Sequence, residues 1–351
     1  MISFQTSSRR DTADLGVAPA PVNGGSLHHL RPATLQPHRA GPPALAPRRD
    51  LVSDARLLWQ RLRHPHRLDL YVARMLGRPL SDRRYLELGH LLYFGRWPDF
   101  DRPRTLNEHI MAYMLRCRDP LLQMASDKAR ARKYIAAKAG AEYLIPLYGT
   151  WRNAEDVPLD SLPRPCVLKP TAASGAVIFL HEGEPLHVAN TRAAMRRWLR
   201  RDYSRFHREW SYQGVPQMIM AERLMLQSDG SVPPDYKLWV IGKKVRMIHV
   251  DQGRFTHHTR NLYLPDWQPA PARLTLENHA PDPRPVCLEE MIDIAEKLAQ
   301  PFEFLRVDCY VIDGRPYVGE LTNSPGAVFE RFMPSSFATT LGSYWDTAET
   351  G

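Results

Sequence analysis

The chain has 351 residues, 43% hydrophobic and 24% charged, enough to bury a large core and to divide into subdomains. No stretch approaches the roughly 18 consecutive apolar residues of a membrane span, and residues 1–30 hold no apolar run of the kind found in a secretory signal. A soluble, cytoplasmic protein is therefore expected. Lys plus Arg number 47 against 38 Asp plus Glu, a net charge of +9, which suits a polyanionic substrate, acidic lipid or nucleic acid and says nothing about fold. The four cysteines, Cys117, Cys166, Cys287 and Cys309, lie far apart without metal-ligand or redox spacing, so they read as free thiols.

Residues 1–50 carry seven prolines and four glycines and no sustained hydrophobic period. Such a segment buries too little apolar surface to offset its ordering entropy and reads as a disordered tail. Residues 51–120 read as a helical region, beginning with Leu57, Leu58 and Leu62. Within it Thr105 and Glu108 form a capping box ahead of Ile110, Tyr113 and Met114. Another helix is predicted from about Asp127 to Ala139, ending at Gly140.

Short strands are predicted at Cys166–Lys169, Ala176–Leu180 and Gln217–Ala221, with a basic helix from Thr191 to about Glu209 between the last two. Tyr236–Ile241 and Lys244–Val250 flank Gly242-Lys243 as a hairpin. A helix at Leu288–Ala299 leads to Leu305–Ile312, the turn Asp313-Gly314 and Arg315–Leu321. This mixture predicts an α+β fold with antiparallel sheets, divided after the helical region into parts at 121–216 and 217–345.

Three stretches carry candidate chemistry. In Val167–Gly175 a lysine, Lys169, ends an apolar strand and small residues follow, among them Ser174 and Gly175. Small side chains let backbone N–H groups approach an anion and the ammonium adds charge, so phosphate is the natural guest. In Leu305–Ile312 and Arg315–Asn323 two strands carry Asp308 and Glu320, hard oxygen ligands for Mg²⁺ if they share a face. A plain two-residue turn at 313–314 pairs position 308 with 319, so the metal reading requires a bulge, expected at Gly314, to pair 308 with 320. Otherwise the two acids are ordinary salt-bridge partners. In Gln217–Leu224 methionines and aliphatics lead to Glu222 and could sandwich an adenine ring, or simply be core.

Other features carry less. His64, His66 and His257-His258 lack ligand spacing and a third partner. The arginines between 192 and 208 recur around the predicted helix with few aromatics interleaved, so nucleic acid is not the expected partner.

The order of Ser126-Asp127-Lys128, Leu168-Lys169-Pro170, Ala221-Glu222, Asp235-Tyr236-Lys237, Arg306-Val307-Asp308 and Glu320–Gly326 resembles the ATP-grasp superfamily. More closely, Arg102–Glu108, Ile145–Gly149, Leu162-Pro163, Asp235–Trp239, Asp266-Trp267 and Val318–Thr322 resemble the TupA-like ATP-grasp family, over residues 93–342. The resemblance implies two α+β lobes clamping a nucleotide, with ATP and Mg²⁺ as cofactors. By position in the motifs it places Lys128 and Lys169 on ATP phosphates under the loop 171–176, Glu222 at the adenine hinge, Asp235 near the ribose and Lys237 near the phosphates. Asp308 and Glu320, with Thr322 and Asn323 following, would hold Mg²⁺, and Arg306 would lie close to the transferring phosphoryl group. Many relatives carry Asn two residues after the metal-binding Glu, where this chain has Thr322, and a loop richer in glycine than one holding Ala172 and Ala173.

The reaction implied is carboxylate–amine ligation, in which a carboxylate takes the γ-phosphoryl group and an amine attacks the acyl phosphate. A cell-surface polymer or its precursor is the expected substrate class. Arg254, with Arg260 and His257, is the candidate receptor for an acidic substrate. Two rivals are a kinase acting on a sugar or other hydroxyl, and a basic protein that binds an anionic polymer without turnover.

Overall fold

The computed structural model describes residues 79–204, 208–254 and 257–345; the expected tail and the pattern at Leu57–Leu62 lie outside them. Everything described belongs to one compact unit within Ala55–Gly351, and none of its helices is long and apolar enough to cross a membrane.

Helix α1 (Asp82–Phe94) is capped by Ser81 and stopped by Gly95 in the left-handed region. Helix α2 (Leu106–Arg116) starts at the expected box, with the Thr105 hydroxyl accepting from the Glu108 N–H and the Glu108 carboxylate from the Thr105 N–H. Two short helices, α3 (Pro120–Ser126) and α4 (Lys128–Lys138), meet at Asp127, whose carboxylate accepts from the N–H groups of Ala129 and Arg130. That cap fixes the direction in which Lys128 leaves the chain.

The first sheet holds β1 (Leu147–Trp151), β2 (Cys166–Pro170), β3 (Ile178–Leu180) and β4 (Ile219–Arg223) in the order β1-β4-β2-β3, all antiparallel. Strand β4 pairs with both β1 and β2, so this sheet draws on the chain as far as Arg223. The basic helix α5 (Val188–Leu199) buries Thr191 and Met195 and ends well before Glu209, because Arg200-Arg201-Asp202 offers no apolar residue to continue that stripe. Alternation on β2 turns Cys166 and Leu168 into the small core with Met195 and Ile219, leaving Val167 and Lys169 on the other face.

The second sheet holds β5 (Asp235–Ile241), β6 (Lys244–Gln252), β7 (Thr259–Tyr263), β9 (Phe304–Ile312) and β10 (Arg315–Thr322), antiparallel in the order β10-β9-β5-β6-β7. A two-residue ribbon joins β8 (Arg273–Leu274) to β11 (Phe332–Met333). Helix α6 (Leu288–Ala299) buries Met291, Ile294 and Leu298 in the main core with Leu238, Val240, Ile248 and Val307, and α7 (Ser336–Ser343) packs on α2.

Two bulges decide what the other face of this sheet carries. Asp313 and Gly314 both have positive φ (50 and 74), as the tight hairpin turn requires, and Arg315 pairs with Ile312 and Val318 with Cys309. A straight ladder would then set Gly319 against Asp308. Instead the register shifts between Val318 and Glu320, and Glu320 pairs with Asp308. The required bulge therefore lies at Gly319, not in the turn at Gly314. An ideal Cβ at Gly319 would come 2.9 Å from Tyr310 Cε2, which is why glycine suits the extra residue.

The β5–β6 hairpin repeats the device. Its turn pairs Ile241 with Lys244 and Val240 with Val245, the register then shifts, and Lys237 pairs with His249 and Asp235 with Asp251. Without the shift Lys237 would oppose Ile248, and a polar and an apolar face would be mixed.

Candidate active site

The two bulges gather Asp235 and Lys237 (β5), His249 and Asp251 (β6), Arg306 and Asp308 (β9) and Glu320 and Thr322 (β10) on one face. Lys237 Nζ lies 3.0 Å from Asp235, 3.4 Å from Asp308 and 3.8 Å from Asp251. Arg306 donates to both oxygens of Asp308, at 2.6 and 2.7 Å, and to Thr322 Oγ1 at 3.2 Å, and stands 3.7 Å from Glu320. Lys128 Nζ lies 3.1 Å from Glu320 and donates to the carbonyl of Ala173 at 2.6 Å.

Burial works against the charge on Lys237, but Asp308 and Asp235 outweigh it and hold its pKa above the ordinary lysine value. Burial likewise works to raise Asp235, and Lys237 and Arg254 overcome it, leaving the carboxyl below the usual range. The neighbouring acids titrate as a pair. Burial keeps Asp308 above its ordinary value against the pull of Arg306 and Lys237, whereas for Glu320 Lys128 and Arg306 outweigh burial and hold the carboxyl far below it.

The first sheet supplies the opposing wall. Lys169 Nζ lies 2.5 Å from Glu222 Oε2, and Arg132 donates to Glu222 Oε1 at 3.1 Å. A cavity of about 420 Å³ is lined by Val167, Lys169, Phe179, Glu222, Leu224 and Met225 from this side and by Asp235, Asp251, Arg254 and Tyr310 from the second sheet. The lining combines apolar side chains (Val167, Phe179, Leu224, Met225) with charged ones (Lys169, Glu222, Asp235, Arg254), the mixture expected of a site for a ligand with an apolar part and an anionic part.

The loop after β2 reaches into this space. Gly175, at φ 74, lines the cavity and Ser174 is exposed. Ala172 and Ala173 are buried, and their carbonyls accept from Gln217 Nε2 and Lys128 Nζ, both at 2.6 Å. The alanines thus occupy the part of the loop that turns inward, where a small apolar side chain fits.

Several expected positions receive other work. Asn323 is not brought to the acid pair: its amide donates to the Leu122 carbonyl at 2.9 Å and to Ser126 Oγ at 3.0 Å, fastening the end of β10 to α3. Next to it Ser324 donates to Glu209, whose carboxyl burial pushes up to about 7. Arg260 is buried, donating to Asp251 at 2.6 and 3.2 Å and to Glu330 at 2.7 Å, so it cannot receive an acidic substrate. Arg254 is half-exposed at the cavity and donates to Asp235 Oδ2 at 3.0 Å. Ile219, Met220 and Ala221 are core; the cavity wall is Leu224 and Met225 instead.

Asp251, Arg132 and Tyr310 also belong to the site but were not singled out from sequence. Asp251 reaches this face only through the β5–β6 bulge, which leaves no composition signal. Arg132 is one arginine among several on a polar helix.

Among the described residues no three of His, Cys, Asp or Glu gather into a metal cage. Asp308 and Glu320 form a two-carboxylate set of the kind that holds Mg²⁺ when nucleotide phosphates and water complete the shell. Their charges are balanced meanwhile by Lys128, Lys237 and Arg306, so donor chemistry and placement fit that ion.

A profile of the TupA-like ATP-grasp family matches residues 108–346. The chain belongs to the TupA-like ATP-grasp family. No curated protein matches it. Among solved structures the chain is similar to a D-alanine–D-alanine ligase from Bacillus anthracis complexed with ATP, at 16% identity and TM-score 0.35 over 59% of this chain and 56% of that one. It is also similar to an L-amino acid ligase from Bacillus licheniformis (14%, TM-score 0.37, 74% and 55%) and to the ATP-grasp ligase PsnB complexed with a minimal precursor (13%, TM-score 0.36, 66% and 62%). The chain thus spans a little over half the length of the first two. In a TupA-like ATP-grasp protein the two sheets described here are the two lobes of the grasp.

Proposed function

We propose that the chain is an ATP- and Mg²⁺-dependent carboxylate–amine ligase that forms an amide through an acyl phosphate, acting on a cell-surface polymer or its precursor. The observation that carries this reading is the paired acids Asp308 and Glu320 beside Lys237 and Arg306, joined through Lys237 to Asp235, which lines the same cavity as Lys169. Phosphoryl transfer is mostly positioning and charge neutralisation, and these groups supply both.

Leu224 and Met225 take the base, Asp235 the ribose, and Lys128, Lys169, Ser174 and Gly175 the phosphates. Lys128 must then exchange its contact with Glu320 for a phosphate oxygen, while Glu222 and Arg132 hold Lys169 in place. Bound by Asp308 and Glu320, Mg²⁺ would neutralise phosphate charge as a Lewis acid. Arg306, kept in plane by Asp308, faces the transferring group, and Arg254 leaves Asp235 to hold the acceptor carboxylate.

Trapping with hydroxylamine tests the reading. With ATP, Mg²⁺ and a panel of amino acids and uronic acids, at least one acid gives a hydroxamate and ADP. ADP formed with a stable phosphate ester and no hydroxamate would make the protein a kinase instead.

A further inference from the structure

Strand β2 ends at Pro170, which has no N–H to give to a ladder. One more pair follows it. Thr171 donates its N–H to the Met218 carbonyl at 2.9 Å, and its hydroxyl accepts from the Met218 N–H at 3.2 Å. From there to β3 no strand pairing holds the chain among the described residues, so the loop takes its shape from side chains.

Two residues supply it. Lys128, the first of α4, gives its N–H to the Thr171 carbonyl at 2.9 Å and its Nζ to the Ala173 carbonyl at 2.6 Å. Gln217, just ahead of β4, donates from Nε2 to the Ala172 carbonyl at 2.6 Å. Three consecutive carbonyls are captured in this way, and Ala172 and Ala173 are buried. The next two residues, Ser174 and Gly175, are exposed, and Gly175 lines the cavity. The loop therefore has a fixed root and a free tip. The peptide plane that turns the Ala173 carbonyl to Lys128 turns the Ser174 N–H the opposite way, where it meets no acceptor among the described residues.

The two anchors differ. Lys128 also stands 3.1 Å from Glu320, and in the reading above it turns to a phosphate oxygen, so its grip on the loop changes when nucleotide binds. Gln217 has no second side-chain partner among the described residues: its Oε1 is buried and unpaired. Folding alone does not favour such an amide. A buried acceptor without a donor has lost water and gained nothing in return, which offsets what Nε2 contributes at Ala172.

We propose that Gln217 is a positioning residue for the nucleotide phosphates; this rests on the nucleotide site of the reading above and deepens it. By pinning the Ala172 carbonyl, with or without ligand, Gln217 sets where Ser174 and Gly175 meet the polyphosphate chain. The Ser174 N–H and the backbone at Gly175 then need no rearrangement to meet an anion. The ligand class that depends on Gln217 is a nucleoside polyphosphate and not a nucleoside. Leu224 and Met225, which line the cavity as the base wall, follow β4 whereas Gln217 precedes it, so the whole strand lies between them.

Gln217→Met keeps the length of the side chain and removes the amide. Calorimetry should show ATP with Mg²⁺ binding about tenfold more weakly than to wild type, while adenosine, followed by NMR titration, binds within about twofold. Because the lost bond and the lost orphan oxygen oppose one another, Tm should move by less than about 3 °C. ATP and adenosine weakened in parallel would make the role of Gln217 structural, and unchanged ATP binding would remove it from the site; either result overturns the proposal. Wild type that binds no ATP would overturn the nucleotide reading first, and the positioning role with it. A second measurement needs no variant. In the wild-type chain the Gln217 side-chain amide protons should exchange at least ~10-fold more slowly than those of an exposed glutamine, both without ligand and with saturating ATP and Mg²⁺. The Ser174 amide resonance should shift with ATP and not with adenosine. Unprotected Gln217 protons in either state, or a Ser174 resonance indifferent to ATP, would contradict the proposal.

Discussion

Replacing Lys237 by methionine keeps most of the side-chain volume and removes one ammonium from among three carboxylates. Contacts at 3.0, 3.4 and 3.8 Å are each worth roughly 4–6 kcal/mol at an effective dielectric near ~20. Desolvation of the ammonium, several kcal/mol, cancels about one of them. Arg254, Arg260 and Arg306 still compensate Asp235, Asp251 and Asp308 respectively. The two contacts left, roughly 10 kcal/mol together, are an upper bound; with those arginines in place the net cost at neutral pH should fall near ~4 kcal/mol, the range for breaking a buried ion pair from one side.

The sign of the pH dependence is the sharper test. In the wild type the depressed Asp235 pKa contributes stability above the unfolded value, lost as pH falls through the folded one. In Lys237→Met burial dominates, and Asp235 and Asp308 are displaced upward. The folded variant then binds more protons than its unfolded chain, and its deficit against wild type should narrow between about pH 7 and about pH 4. Urea unfolding of both proteins across that window measures it. A deficit below ~1 kcal/mol, or one constant with pH, would refute the claim that this ammonium holds the acids together.

Three further outcomes follow from particular contacts. Val177→Trp places a large ring in the cavity that Val177 lines; fluorescence titration should show ATP binding at least ~10-fold weaker with little change in Tm, since the residue is exposed. Gly319→Val sets a Cβ against the Tyr310 ring, 2.9 Å away, and should cost about 1–3 kcal/mol in thermal unfolding, with Mg²⁺-dependent ATP binding weakened as well. Burial of Glu108 opposes its charge, but the N–H groups of Thr105 and Arg104 and the Arg96 guanidinium outweigh it and lower its pKa from 4.5 to about 2. Wild type should lose this stabilisation as pH falls through that interval, whereas Glu108→Gln should fall less steeply there, the gap between the two closing, and should cost about 1–3 kcal/mol near neutrality.

The elements were legible where local chemistry sets them. The capping box at Thr105 and the helix at Leu288–Ala299 stand where periodicity and caps put them, as do the two hairpins around 242–243 and 313–314. The order of motifs also pointed to the family that the profile match establishes. What sequence could not supply is register. Whether Asp308 faces Gly319 or Glu320 depends on one extra residue, and the composition of β10 is the same in both cases. The same holds for Asp251, whose place opposite Asp235 depends on the shift beside Trp239. Partner choice was hidden too: Arg260 read as a free cation until its contacts with Asp251 and Glu330 were seen. Asn323 read as a ligand until its amide was found on α3.

The central claim is that the bulge at Gly319 builds a Mg²⁺-nucleotide site from Asp308 and Glu320. Calorimetry of ATP binding, with and without Mg²⁺, on the wild type and on Asp308→Asn/Glu320→Gln tests it without knowledge of the acceptor. The account predicts wild-type binding that strengthens at least ~10-fold with Mg²⁺ and a folded double variant in which that gain is gone. Binding that ignores Mg²⁺, or a double variant that keeps the full gain, would contradict it.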